Sequence, residues 1–154
     1  IGTDPYFKET EETKRYVQAA DLDTVIREAD ILSVHCPAEG NQNLINRDVF
    51  ARMKNTAVVI NVARGGIINE EDLDWALEQK EIGGAGLDCM TGEPVSKDCP
   101  LFRHENLIVT PHMAWYSEEA ARELKRKVAE EAVRFANGKA IHYPINRLEQ
   151  EERK

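Results

Sequence analysis

Arg64 stands between an apolar run, Ala57, Val58, Val59, Ile60 and Val62, and two glycines, Gly65 and Gly66. Such a run reads as a buried parallel strand. In open α/β sheets ligands gather beyond the carboxyl ends of the strands, so Arg64 falls where a ligand would sit. The glycines let the backbone turn sharply and approach a bound molecule closely. The guanidinium offers a rigid fork that matches a carboxylate bidentately. Anion binding is the chemistry this arrangement supports; an arginine that pairs with a nearby acid at a strand end is the structural alternative.

His112 follows Thr110-Pro111 at the end of a second expected strand, and a histidine there is a natural proton donor or acceptor near neutral pH. Glu93, in Gly92-Glu93-Pro94, lies on the loop after the preceding strand, where a carboxylate could bond one ring nitrogen, orient the ring and favour its protonated form. Taken singly, a histidine is more often structural and Glu93 an ordinary loop acid. Arg64, Asp88 and His112 at consecutive strand ends, however, would converge on one crevice.

The remaining candidates carry less. Asp4, in Asp4-Pro5, is either a turn residue or the strand-end acid that bonds a ribose hydroxyl in dinucleotide sites. His35-Cys36-Pro37 ends a strand and can line a cofactor wall, whereas His104 reads as structural. No HExxH or CxxC spacing joins these residues, so no metal site is expected. Cys36 and Cys89 have no base beside them in sequence and read as small buried residues. Trp75, Trp115 and Tyr116 are core or interface candidates; Trp115, close after His112, can also form a substrate wall.

Several elements must position these groups. Residues 30–35, 58–62, 83–88 and 106–110 read as strands, alternating with helices over 21–28, 46–53 and from 69 onward, the signature of a parallel α/β sheet. Asp21, Asn46, Asn69 and Ser117 are the expected N-caps. Leu73, Ala76 and Leu77 share one face of the third helix. Ser117 opens the longest helix, with Ala121, Leu124, Val128, Ala132 and Phe135 at helical spacing and a stop at Asn137-Gly138. Residues 89–105 form a proline-bearing loop. Residues 1–6 read as the tail of a strand ending in an acid, and residues 148–154 as a charged, frayed end.

The 154 residues suffice for one ordinary domain with a core. With 20 Lys+Arg against 28 Asp+Glu, a net charge of −8, the chain is a poor match for nucleic acid or an anionic membrane. No apolar run approaches the roughly 20 residues of a spanning helix. Three cysteines, an odd count without a close pair, argue against a disulfide framework and for a reducing, cytoplasmic setting.

Val62-Ala63-Arg64-Gly65-Gly66, Ala85-Gly86-Leu87-Asp88, Gly92-Glu93-Pro94 and Thr110-Pro111-His112-Met113-Ala114-Trp115, in this order, resemble the C-terminal signature of the D-isomer-specific 2-hydroxyacid dehydrogenases over about residues 2–140. The run from His112 to Ser117 is similar to the branch of the C-terminal-binding-protein corepressors and their bacterial relatives. The resemblance implies an incomplete Rossmann-type, doubly wound α/β sheet, with residues 1–140 as a nucleotide-binding domain lacking its first strand and glycine-rich turn and residues 141–154 as a tail. It implies NAD as cofactor, interconversion of a 2-oxo acid and a D-2-hydroxy acid, and a homodimer. Arg64, Glu93 and His112 would be catalytic. Asp4, His35, Cys36, Pro37, Val62, Ala63, Arg64, Asp88 and His112 would face NAD, with Asp88 on the nicotinamide amide, and Arg64, His112 and Trp115 would face substrate. Asp4 at the ribose favours NAD over NADP, since a carboxylate repels the extra phosphate. The 154 residues are then expected to be part of a longer enzyme and inactive alone. An NAD-sensing corepressor-like scaffold is the alternative function.

Overall fold

The computed structural model describes residues 1–145; the expected frayed end at 148–154 lies outside the described residues. The chain forms two compact units, Ile1–Ala114 and Trp115–Lys154. In the first, four parallel strands, β1 (Ile31–Val34), β2 (Val58–Asn61), β3 (Gly84–Leu87) and β4 (Leu107–Val109), lie side by side in chain order. Leu32 pairs with Val59, Val59 with Ala85, and Ala85 with Leu107. Each crossover carries the chain back so that every strand ends at the same edge of the sheet, which gathers the segments after Val34, Asn61, Leu87 and Val109.

Helices α1 (Leu22–Glu28), α2 (Arg47–Phe50) and α3 (Glu70–Glu78) start where the sequence places capping residues. Asp21 accepts the Thr24 N–H at 2.7 Å, Asn46 that of Val49 at 3.2 Å and Asn69 that of Asp72 at 3.0 Å. Each satisfies a donor that a helix start leaves unpaired. The expected helix over 46–53 is shorter as an α-helix, because Arg52 and Met53 bond carbonyls three residues back and tighten its last turn. The loop over 89–105 contains a 3-10 turn, Pro100–Arg103.

Leu32, Val34, Val59, Ala85 and Leu87 point from one sheet face into a core shared with Ile26, Phe50, Leu73, Ala76 and Leu77. On the opposite face Ile31 and Ile108 are exposed. β1 therefore alternates between exposed and buried residues: among the described residues of this unit, one sheet face carries the core. Near the chain start, Gly2 and Ala19 form a single parallel bridge, consistent with the strand tail read from the sequence.

The second unit holds α4 (Glu118–Ala136), capped by Ser117, whose hydroxyl accepts the Ala120 N–H at 3.0 Å. It ends at Asn137, with Gly138 in the left-handed region at φ +67°. Ion pairs of Arg122 with Glu118 and of Arg126 with Glu123 and Glu130 line it. Leu124, Val128 and Phe135 of the expected apolar face are exposed.

Candidate active site

Arg64 owes its place to Asn61, the last residue of β2. A polar side chain at the end of an apolar strand is buried only if its bonds are met. Asn61, 2% exposed, donates to the Arg64 carbonyl at 2.8 Å and accepts the Ala63 N–H at 3.0 Å. The turn beyond it is thereby closed by a side chain. Gly65 brings that turn against the loop after β3, since a Cβ there would lie 2.3 Å from the Met90 carbonyl oxygen. The guanidinium of Arg64 donates to the Ala63 carbonyl at 2.7 Å.

Glu93 and His112 come together across the next two strand ends. One Glu93 oxygen accepts the Met90 N–H at 3.0 Å, and the other meets Nδ1 of His112 at 2.8 Å. The His112 bond, seconded by the Met90 N–H, holds the Glu93 carboxyl below its ordinary value. Glu93 is therefore ionised at neutral pH and fixes one ring nitrogen.

Asp88 shapes the turn that presents the ring. His112 has φ +51°, a left-handed conformation that a residue with a Cβ adopts at a cost. The His112 N–H donates to the Asp88 carbonyl at 2.9 Å, and the Asp88 carboxylate accepts the Thr110 hydroxyl at 2.5 Å and the N–H groups of Met113 and Ala114 at 2.8 Å each. Burial pushes the Asp88 carboxyl up, but Thr110, Ala114 and Met113 outweigh it and the net shift is downward. A charged acceptor bonding successive N–H groups holds a turn that the histidine alone disfavours.

A cleft of about 660 Å³ at the ends of β1 and β2 is lined by His35, Cys36, Pro37, Val62, Ala63 and Arg64, among others. A second, of about 370 Å³, is lined by Arg64, Met90, Glu93 and His112 together with Ala38, Gly65, Thr91 and Gly92. Arg64 and Ala38 belong to both, so Arg64 stands where the two meet. His35 is exposed and its Nε2 meets the Ser33 hydroxyl at 2.8 Å. Asp4 accepts the Tyr6 N–H at 2.6 Å, the geometry of an Asp-Pro turn. His104 is largely buried against Asp74 at 2.7 Å and is structural. Trp115 lies in the second unit, edge-to-face with Tyr116 at 5.5 Å. Burial, then the charges of Asp88 and Glu93, push the Cys89 thiol up, against the smaller pull of Arg64; this leaves it protonated and a poor nucleophile.

Sequence reasoning missed the supporting roles of Asn61, Thr110 and the Met90 N–H. Only Asn61 left a signal, a polar residue closing an apolar strand.

Residues 1–114 match the family described as D-isomer specific 2-hydroxyacid dehydrogenase, NAD binding domain. The chain is 33% identical over 147 residues to a D-3-phosphoglycerate dehydrogenase of Archaeoglobus fulgidus, covering 95% of this chain and 28% of that one. It is 35% identical over 136 residues to a glyoxylate reductase of Korarchaeum cryptofilum, covering 88% and 40%. A crystal structure of D-lactate dehydrogenase with NAD+ from Lactobacillus jensenii superposes with a TM-score of 0.85 at 34% identity, covering 94% of this chain and 47% of that one. The chain thus spans less than half the length of each of these relatives, which do not single out the corepressor branch. The chain belongs to the D-isomer specific 2-hydroxyacid dehydrogenase family, with residues 1–114 matching that family's NAD binding domain.

Proposed function

We propose that the protein interconverts a 2-oxo acid and a D-2-hydroxy acid using NAD, and the observation that carries this is the 2.8 Å His112–Glu93 pair in the cleft that Arg64 shares. The residues present fit the nicotinamide end of NAD. His35, Cys36 and Pro37 with Val62 and Ala63 form the walls of the cleft of about 660 Å³. Asp88 Oδ2 accepts the Ala114 N–H and, as a carboxylate oxygen, has capacity for a second donor, so Asp88 would hold the nicotinamide amide. When bound, the cofactor supplies or accepts the hydride at C2.

Arg64 binds the substrate carboxylate and polarises the C2 carbonyl. Glu93 engages Nδ1 of His112, so the transferable proton is on Nε2 and passes to the oxygen as charge develops there. The negative Glu93 carboxylate balances the imidazolium, and in the reverse direction the same ring takes the proton back. Asp4 is assigned to the adenosine ribose and Trp115 to the substrate wall.

The same reading takes residues 1–140 as a partial nucleotide-binding domain, followed by residues 141–154. It includes a homodimer acting in the cytoplasm with no nucleic acid as direct partner. The net charge of −8, three free cysteines and the absence among the described residues of any helix long and apolar enough to cross a membrane support that setting.

The test is steady-state NADH oxidation by the intact protein across a panel of 2-oxo acids. Turnover of at least one, lost in His112→Asn, is the expected result. NAD binding without turnover of any would overturn the enzyme reading and favour an NAD-sensing scaffold.

A further inference from the structure

Beneath the His112–Glu93 pair lies a group that the proposed reaction does not use. Cys89 is buried at the end of β3, its Sγ directed at the Ala63 carbonyl 3.5 Å away. This sulfur, a Glu93 carboxylate oxygen and a His112 ring nitrogen all lie within 4.8 Å of one another. We propose that Cys89, Glu93 and His112 form a site for a thiophilic divalent cation, Zn²⁺ or Cd²⁺, and that an occupied site stops proton transfer by His112.

The donor set is the first reason. Thiolate, imidazole and carboxylate are the ligands Zn²⁺ takes, and a soft thiolate selects it over hard cations such as Mg²⁺. Binding expels the thiol proton, after which thiolate and carboxylate together cancel the charge of the ion.

Geometry is the second. Zinc–ligand bonds of about 2.0–2.3 Å hold donor atoms less than about 4 Å apart. His112 and Glu93 already stand at 2.8 Å, so Cys89 has to leave the Ala63 carbonyl and swing up by on the order of an ångström. The other two donors are anchored, Glu93 by the Met90 N–H and His112 by the turn that Asp88 holds. Their side chains are 37% and 40% exposed, so an ion entering from the cleft meets them before it reaches the sulfur. Three protein ligands leave the fourth position open toward the cleft.

The binding rests on this geometry; the inhibition rests also on the oxidoreductase reading, and the two are measured separately. Cd²⁺ is titrated into the metal-free intact protein while the thiolate-to-cadmium charge-transfer absorption is recorded. The expected result is a stoichiometric band that survives excess Mg²⁺, persists in Cys36→Ser and Cys99→Ser, and is lost in Cys89→Ser and Cys89→Ala with the fold retained by circular dichroism. Glu93→Gln should weaken binding by at least the roughly 10–100-fold typical of losing an outer-shell partner. No band, or a band that survives both Cys89 substitutions, overturns the site. In the second arm Zn²⁺ should inhibit 2-oxo acid reduction, and Cys89→Ser should turn over normally but resist the ion. Cadmium bound as described without zinc inhibition overturns the proton-transfer half and leaves the site standing.

Discussion

Arg64 and His112 face one crevice, but each is held there by a different neighbour. Asn61 closes the turn before Arg64 with its side chain, and Glu93 fixes the ring of His112. Arg64→Lys keeps the charge and loses the planar fork, so kcat/KM for 2-oxo acid reduction should fall by about 2–4 kcal/mol in transition-state binding. Steady-state kinetics over a range of substrate concentrations checks this, and near-normal values would remove Arg64 as the substrate clamp. Glu93→Gln leaves a neutral partner at the ring, and kcat should drop by on the order of 10²-fold while KM changes little. A rise in KM at constant kcat would place Glu93 in substrate binding instead.

At the scale of elements, the loops after β2 and β3 lie against one another at the sheet edge. Gly65 marks the closest approach. Gly65→Ala would set its new Cβ against the Met90 backbone, and backbone yields less readily than a side chain. The substitution should destabilise by about 2 kcal/mol or more and part Arg64 from Glu93; urea unfolding and kcat/KM should both register it. Asp88→Asn tests the second clamp. An amide keeps an acceptor but loses the charge and presents a donor to an N–H group, at a cost of about 2 kcal/mol for charged hydrogen bonds. Thr110, the turn over 112–114 and the presentation of His112 should be affected together, visible as lost unfolding free energy with a lower kcat.

For the molecule as a whole, the lowered Asp88 and Glu93 carboxyls predict an acid-sensitive fold at the candidate site. Both carboxyls are held below their ordinary values, 3.8 and 4.5. A carboxyl depressed on folding contributes stability above its unfolded pKa and loses it as pH falls through the folded one. The thermal midpoint should therefore hold near neutrality and decline below about pH 4.5, with a shallower decline in Asp88→Asn. Circular dichroism melts between neutral and acid pH decide it, and an unchanged acid limb in the variant would mean that Asp88 carries little of that dependence.

Much of this molecule follows from short stretches of chain. The four strands, the caps Asp21, Asn46, Asn69 and Ser117, and the face of Leu73, Ala76 and Leu77 are legible because helix capping, apolar periodicity and strand runs each depend on residues a few positions apart. Parallel order also places Arg64, Asp88 and His112 at one sheet edge before any coordinates are known. The left-handed turn at His112, the burial of Asp88 as its anchor and the clamp of Gly65 on Met90 are decided only by the tertiary structure. So is the meeting of Cys89, Glu93 and His112, which no ligand spacing announces. Where a side chain points beyond a strand end depends on inter-strand register and on the φ and ψ of a single turn. Those are set by hydrogen bonds between residues some 20 or more apart, such as Asp88 with Met113 and Ala114, and no local pattern encodes them.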